Sequence, residues 1–268
     1  MLEGLKRWIS GHPEEPQTRV LSQWARDNGH VFKTVRDEHG GVVECRSESP
    51  GGVRQWRLEW GRPQRRYIPG LELRLREELG LSPDVQILLI ARSLADKMEH
   101  DVFERYTEAM QTQVDSSMPE EMRWLAMFPK LALPGHKPLR SRVQLLCPIP
   151  GAAEAWVSGE LGHALEAAYA IGGVLYEDPP FLMQVLRGRL YLRLSAPELT
   201  PGLLSGIHSL FALAASRARA DLTTIAPPAD APASGWHSTG STAWQSMSGL
   251  HPSADMPPAP APGNDKGR

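Results

Sequence analysis

Between Val53 and Arg76 apolar and polar residues alternate in two runs joined by a connector bearing glycine and proline. In the first run Trp56, Leu58 and Trp60 fall on one side, with Gln55, Arg57 and Glu59 on the other. In the second, Leu71, Leu73 and Leu75 oppose Glu72, Arg74 and Arg76. A period of two with one apolar side predicts half-buried antiparallel strands. Val31 to Arg36 and Val42 to Arg46, around turn residues Asp37 to Gly41, continue the pattern. Together they predict a meander of about four strands. Gln86 to Ile90 is a short apolar run that fits a fifth strand or the start of a helix.

Elsewhere the period lengthens to that of a helix. Val20, Leu21 and Trp24 mark one buried face over Gln17 to Asn28, with Asn28-Gly29 as the stop. Met1 to Ser10 gives a short amphipathic helix with Leu2, Leu5, Trp8 and Ile9 on one face. Ser93 is a good N-cap for a long helix in which Leu94, Met98, Val102, Tyr106 and Met110 recur every four residues. Ser117 and Glu120 form a capping-box pattern ahead of Met122, Leu125 and Phe128, and Pro129 ends that segment. Pro134, Pro138, Pro148 and Pro150 bracket a strand at Val143 to Leu146 and mark the place for any domain seam. Ala152 to Ala170 is alanine-rich and reads as one helix with Trp156, Leu161, Leu165 and Tyr169 inward. Phe181 to Leu194 reads as a hairpin turning at Arg187-Gly188. Thr200 caps a last helix, with Pro201 at its first position and Leu203, Leu204, Ile207, Leu210, Phe211 and Ala214 on its apolar face.

The elements predict an α+β protein: an antiparallel β-meander with flanking helices, then a helix–β-hairpin–helix unit, then a disordered C-terminal tail. The divisions are a short helix and linker at 1–16, an α+β unit at 17–130 and a second at 131–222, with the tail at 226–268. In the first unit strands are expected at 31–90 and helices at 93–128. Leu71 to Leu75 and Leu190 to Leu194 share a Leu-x-Leu-Arg-Leu pattern. A duplication explains this echo, and so does the ordinary alternation of strands with one wet face. The tail holds eight prolines in 43 residues with few branched aliphatics, too little apolar material to offset the entropy of ordering. Its Trp236 and Trp244 are candidate partner-binding residues, because an exposed indole docks readily into an apolar groove.

Composition narrows the function classes. A net charge of −2 and a pI near 6.5 exclude a chain built as a whole to coat nucleic acid or anionic lipid. Charge is instead concentrated locally, with seven arginines against two glutamates between Val53 and Arg76. Arg57, Arg62, Arg65, Arg66, Arg74 and Arg76, with Tyr67 among them, are therefore candidates for binding RNA or another polyanion. The opposing reading is that strands facing water need polar residues and that nearby acids neutralise these ones. Cys45 and Cys147 lack a metal-ligand spacing and suit a reducing compartment. With no apolar run of membrane-spanning length and no signal-like N-terminus, the cytoplasm is the expected location.

Catalytic signatures are absent: no nucleophile elbow, phosphate-binding loop, dinucleotide fingerprint or H-E-x-x-H occurs. His100 and Glu104 share a helix face, but two ligands are too few for a metal, and neither a metal nor a cofactor is expected. The sequence therefore points first to a non-enzymatic cytoplasmic protein that binds another protein. The alternatives are RNA or polyanion binding through the arginines, and an enzyme whose site is assembled from residues distant in the chain.

Overall fold

The computed structural model describes residues 16–34, 40–49, 52–109, 119–133 and 135–223. Among them are six helices, α1 (Pro16–Asp27), α2 (Arg92–Ala109), α3 (Glu120–Met127), α4 (Pro150–Val157), α5 (Glu160–Tyr169) and α6 (Pro201–Asp221). The nine strands are β1 (Val31–Thr34), β2 (Gly41–Ser49), β3 (Gly52–Gly61), β4 (Glu72–Glu78), β5 (Ile87–Ala91), β6 (Lys130–Leu131), β7 (Val143–Leu146), β8 (Phe181–Leu186) and β9 (Arg189–Ser195). All nine join one antiparallel sheet in the order β1-β2-β3-β4-β9-β8-β5-β7-β6. The expected α+β class holds. The expected N-terminal helix, the capping box at Ser117 and the tail lie outside the described residues.

Register explains why the sheet has two unlike faces. Directly opposed residues of antiparallel strands share a face. One such row crosses every strand, through Phe32, Val43, Leu58, Leu75, Leu192, Met183, Leu89, Leu145 and Leu131. Every member is apolar, and all but the edge residues Phe32 and Leu131 are fully buried. The neighbouring row on the opposite face runs Val31, Glu44, Arg57, Arg76, Tyr191, Gln184, Leu88, Leu146 and Lys130. It passes from charge to hydrocarbon along its length. The alternation expected for Trp56, Leu58 and Trp60 is observed, with all three buried.

Helix α6 covers the apolar face. Its His208 ring meets Trp56 of β3 at 4.7 Å, and its Arg219 clamps Glu77 of β4 at 2.5 Å. Alongside it pack α1, through Trp24 Nε1 donating to Ser205 Oγ (3.0 Å), and α4, through Trp156 Nε1 donating to the Ala214 carbonyl (2.9 Å). Thr200 caps α6 as expected, its hydroxyl accepting from Leu203 N at 3.1 Å, with Pro201 at the first position. On the opposite face α2 and α3 cover only the β5–β8 end, where Gln184 donates to Glu121 of α3 at 3.4 Å.

Several local expectations change. The apolar run at Gln86 to Ile90 is a strand, fully buried in the middle of the sheet. It passes directly into α2, so the helix begins at Arg92, whose N–H donates to the Arg142 carbonyl, and Ser93 is inside the helix and not its cap. The single helix expected over Ala152 to Ala170 is two, because Gly159 takes a left-handed φ of 73° and Ser158 is extended. The hairpin turn is as expected, with Arg187 and Gly188 both at positive φ (51° and 73°) as a two-residue primed turn requires. Strands from 17–130 and 131–222 alternate in the one sheet, and the described residues through Thr223 form one compact unit. The two echoing segments, in β4 and β9, are sheet neighbours, with Leu73 opposite Leu194 and Leu75 opposite Leu192.

Glu72, expected on the wet side, is 0% exposed. Its place follows from register, which sets Arg74 of β4 directly opposite Arg193 of β9. Like charges in that position repel, and the Glu72 carboxylate answers both, at 3.1 Å from Arg74 and 2.6 Å from Arg193. It also accepts from Gln64 N at 2.7 Å, which draws the connector over it. Removing one partner from a buried charge cluster leaves the others desolvated and unpaired. Glu72→Ala should therefore lose about 3–5 kcal/mol in urea denaturation. By contrast Lys33→Ala, which breaks the exposed Lys33–Glu44 pair, should cost less than about 1 kcal/mol.

A second expectation concerns pH. His30 and His208 meet Trp24 and Trp56 in a cluster of rings with centroids 4.7–5.8 Å apart. Burial lowers both histidines below the usual 6.5, and His30 lowers His208 further. The unfolded chain then takes up protons that the folded one refuses. Stability should be full above pH 6.5 and fall as pH drops from there through the lowered native values. Thermal melts across that window should show a shallower acid-side loss in His208→Gln than in the wild type.

Candidate functional site

The six candidate arginines do not converge on one site. Arg57, Arg74 and Arg76 lie on the polar sheet face, in rows with Glu44 and Glu59. Arg57 reaches Glu59 at 2.6 Å and Glu44 at 3.5 Å, and Arg74 reaches Glu59 at 3.0 Å as well as Glu72. Arg65 turns inward from the connector to the fully buried Glu121, 3.4 Å away. There burial, then the Glu121 charge, holds the Tyr67 hydroxyl well above the usual phenol range. Arg62, Arg66 and Arg76 are exposed. Half of the set is thus engaged by carboxylates, as the neutralised-face reading expects.

An apolar groove lies between α2 and α3. Its walls are Val102 and Phe103 from α2 and Met122, Leu125 and Ala126 from α3, enclosing about 280 Å³. Among the described residues its charged lining is one pair, Lys130 and Glu99, which meet at 2.7 Å. Phe103 is 66% exposed, next to the more buried Val102 and between acidic neighbours Asp101 and Glu104. Stacking of Trp124 on Phe128 at 5.2 Å stiffens the far side of α3. His100 and Glu104, one turn apart, form an exposed pair at 3.0 Å on α2.

A third feature draws on distant parts of the chain. His136 precedes the 3₁₀ turn Lys137–Ser141, and its ring lies flat against bare backbone of α5 at Gly162. A side chain there is sterically barred, since a Cβ on Gly162 would fall 2.2 Å from His136 Nε2. The same helix presents His163 and Glu166 one turn apart. Glu166 Oε1 lies 3.2 Å from His136 Nδ1, and Oε2 lies 3.3 Å from His163 Nδ1. The imidazoles meet edge to face at 5.0 Å. Sequence spacing singles out His100 and Glu104 and passes over this cluster. The i,i+3 spacing of His163 and Glu166 is readable, but nothing in the chain announces that His136 returns to them.

The chain matches no protein-family model and no curated protein. Among solved structures it is similar to the mycobacterial trehalose monomycolate transport factor A, TtfA, at 10% identity and a TM-score of 0.44. That similarity covers 79% of this chain and 98% of the TtfA chain. Nothing about activity follows from it. No helix among the described residues is long and apolar enough to cross a membrane.

The arginine arrangement carries an expectation of its own. A polyanion site with four phosphate contacts would give a log–log salt slope near −3, at about −0.7 per contact on single strands. With Arg57, Arg65 and Arg74 held by acids, labelled single-stranded RNA should show no binding even at low salt. Binding that weakens with such a slope, and whose slope flattens in Arg65→Ala/Arg66→Ala, would establish the polyanion site instead.

Proposed function

We propose that this protein is a non-enzymatic interaction module that holds an apolar segment of another protein in the groove between α2 and α3. The observation that carries the reading is the apolar lining of that groove, with the exposed Phe103 ring at its wall and the Lys130–Glu99 pair as its charged lining. Burying such a surface against a partner is favourable by roughly 25 cal/mol per Å², and an aromatic at a groove wall is a typical anchor. The Trp236 and Trp244 side chains of the tail are a second contact for the same partner in this reading. A reducing compartment such as the cytoplasm suits the two free thiols, Cys45 and Cys147.

The test places a photo-crosslinking residue at Ala126, in the groove wall, and at Ser216 on the outer side of α6 as a control. A discrete adduct with another protein should form from position 126 and not from 216. Phe103→Glu should abolish it while leaving the melting temperature nearly unchanged, because exposed positions shift stability by about 0.5 kcal/mol or less. Adducts of the same pattern from both positions, or none from 126, would discard the groove. Removing Ala226 to Arg268 measures the tail's share: an unchanged adduct takes the two tryptophans out of the proposal.

A further inference from the structure

We propose that His136, His163 and Glu166 form a binding site for a zinc-class divalent metal ion. Three donors from two separate elements converge, with their ligand atoms all within 4.8 Å of one another. Tetrahedral zinc with bonds of about 2.0–2.1 Å sets neighbouring ligand atoms roughly 3.3–3.5 Å apart. Each imidazole lies at about that spacing from one Glu166 oxygen, His136 from Oε1 (3.2 Å) and His163 from Oε2 (3.3 Å), so a small turn of the carboxylate brings one oxygen and both nitrogens around a single ion.

An ordinary hydrogen-bonded pair accounts for His163 and Glu166, 3.3 Å apart, but not for His136. His136 is only 4% exposed, and its Nδ1, though within ion-pair distance of Glu166, has no hydrogen bond. A buried nitrogen left so costs about 1–3 kcal/mol. With its proton on Nε2, that buried Nδ1 offers a lone pair to a third atom beside Glu166. Gly162 lets the ring come this close to the helix, so the imidazole is seated before any ion arrives.

Exposure sets the order of assembly and the open side. His163 is 75% exposed and Glu166 25% exposed, so the ion enters past His163 and keeps a position for water facing solvent. Two imidazoles and one carboxylate with an open fourth position is a ligand set that zinc accepts. Imidazole donors favour zinc and its transition-metal neighbours over magnesium and calcium, which prefer all-oxygen shells.

The test is titration of the chelator-treated full chain with ZnCl2 against a chromophoric zinc indicator, with MgCl2 in a parallel arm. One zinc per chain should bind at micromolar concentrations, and magnesium should not compete. His163→Ala removes an exposed ligand and Glu166→Gln keeps the side-chain shape, so both should stay folded by circular dichroism. Each should weaken zinc binding by more than about tenfold, the loss already typical of changing a group that merely supports a ligand. Gly162→Ala keeps all three donors but displaces the His136 ring, and should weaken it as well. The proposal fails if no zinc binds, if magnesium binds equally well, or if zinc binding is unchanged in His163→Ala and Glu166→Gln.

Discussion

Nine apolar side chains in register, from Phe32 at one edge to Leu131 at the other, are the constraint on which the molecule depends. Because side chains alternate with period two, a one-residue slip in β3 or β4 would set Arg57 or Arg74 beneath α6. The Arg187-Gly188 turn pins β8 to β9, and the run of Leu, Val and Trp pins the rest. An apolar face nine strands wide must be covered, which is why α6 and α1 lie on it, with α4 and α5 packed beside α6. Where α6 ends, Arg219 ties it to Glu77 and to the Glu78 carbonyl, so that a carboxylate on the apolar side is neutralised. Helix α6 is therefore fixed at both ends, by the Thr200 cap and by this clamp.

The other face cannot be treated as simple solvent surface. Its centre holds Glu72, Arg193, Gln184 and Glu121, all buried, at the line where the helix-covered half meets the open half. A charge is tolerated there only with partners, and each partner fixes another element. Glu72 brings the connector over β4 through Gln64 N. Glu121 ties α3 to β8 through Gln184 and to the connector through Arg65. Exposed pairs such as Lys33–Glu44 are worth too little to set geometry. The buried ones, whose loss would strand a charge, hold α3 and with it the wall of the groove.

Much of this was legible from period alone. Alternation located β3, β4, β8 and β9, and caps and stops located α1 and α6, because those signals are local. Gln86 to Ile90 was ambiguous, since a strand covered on both faces does not alternate. The break at Gly159 was hidden by alanine content, which favours helix on either side of it. Glu72 looked like any other outward residue of its strand. Its burial depends on Arg193, more than a hundred positions later, and no periodicity carries that. His136 was invisible for the same reason: its partners belong to α5, and what admits its ring is the missing side chain of Gly162.

The most conspicuous stretch in the sequence contributes much to the scaffold. Arg57 and Arg74 balance Glu44, Glu59 and Glu72, and Trp56 and Trp60 fill the core beneath. The proposed groove and the proposed ion site fall elsewhere among the described residues, between Arg92 and Tyr169. The groove is built on α2 and α3, which link β5 to β6. His136 lies on the way from β6 to β7, and His163 and Glu166 on the way from β7 to β8. These connections are freed from supplying long strands: β6 and β7 are short, and β5 is buried by its neighbours. These connections bury one side against the sheet, through Met98, Leu125, Trp156 and Leu165 among others, and leave the other side to solvent. Phe103 and His163 are exposed on those connections, and loops and helices carried over a rigid sheet are where binding residues are commonly found.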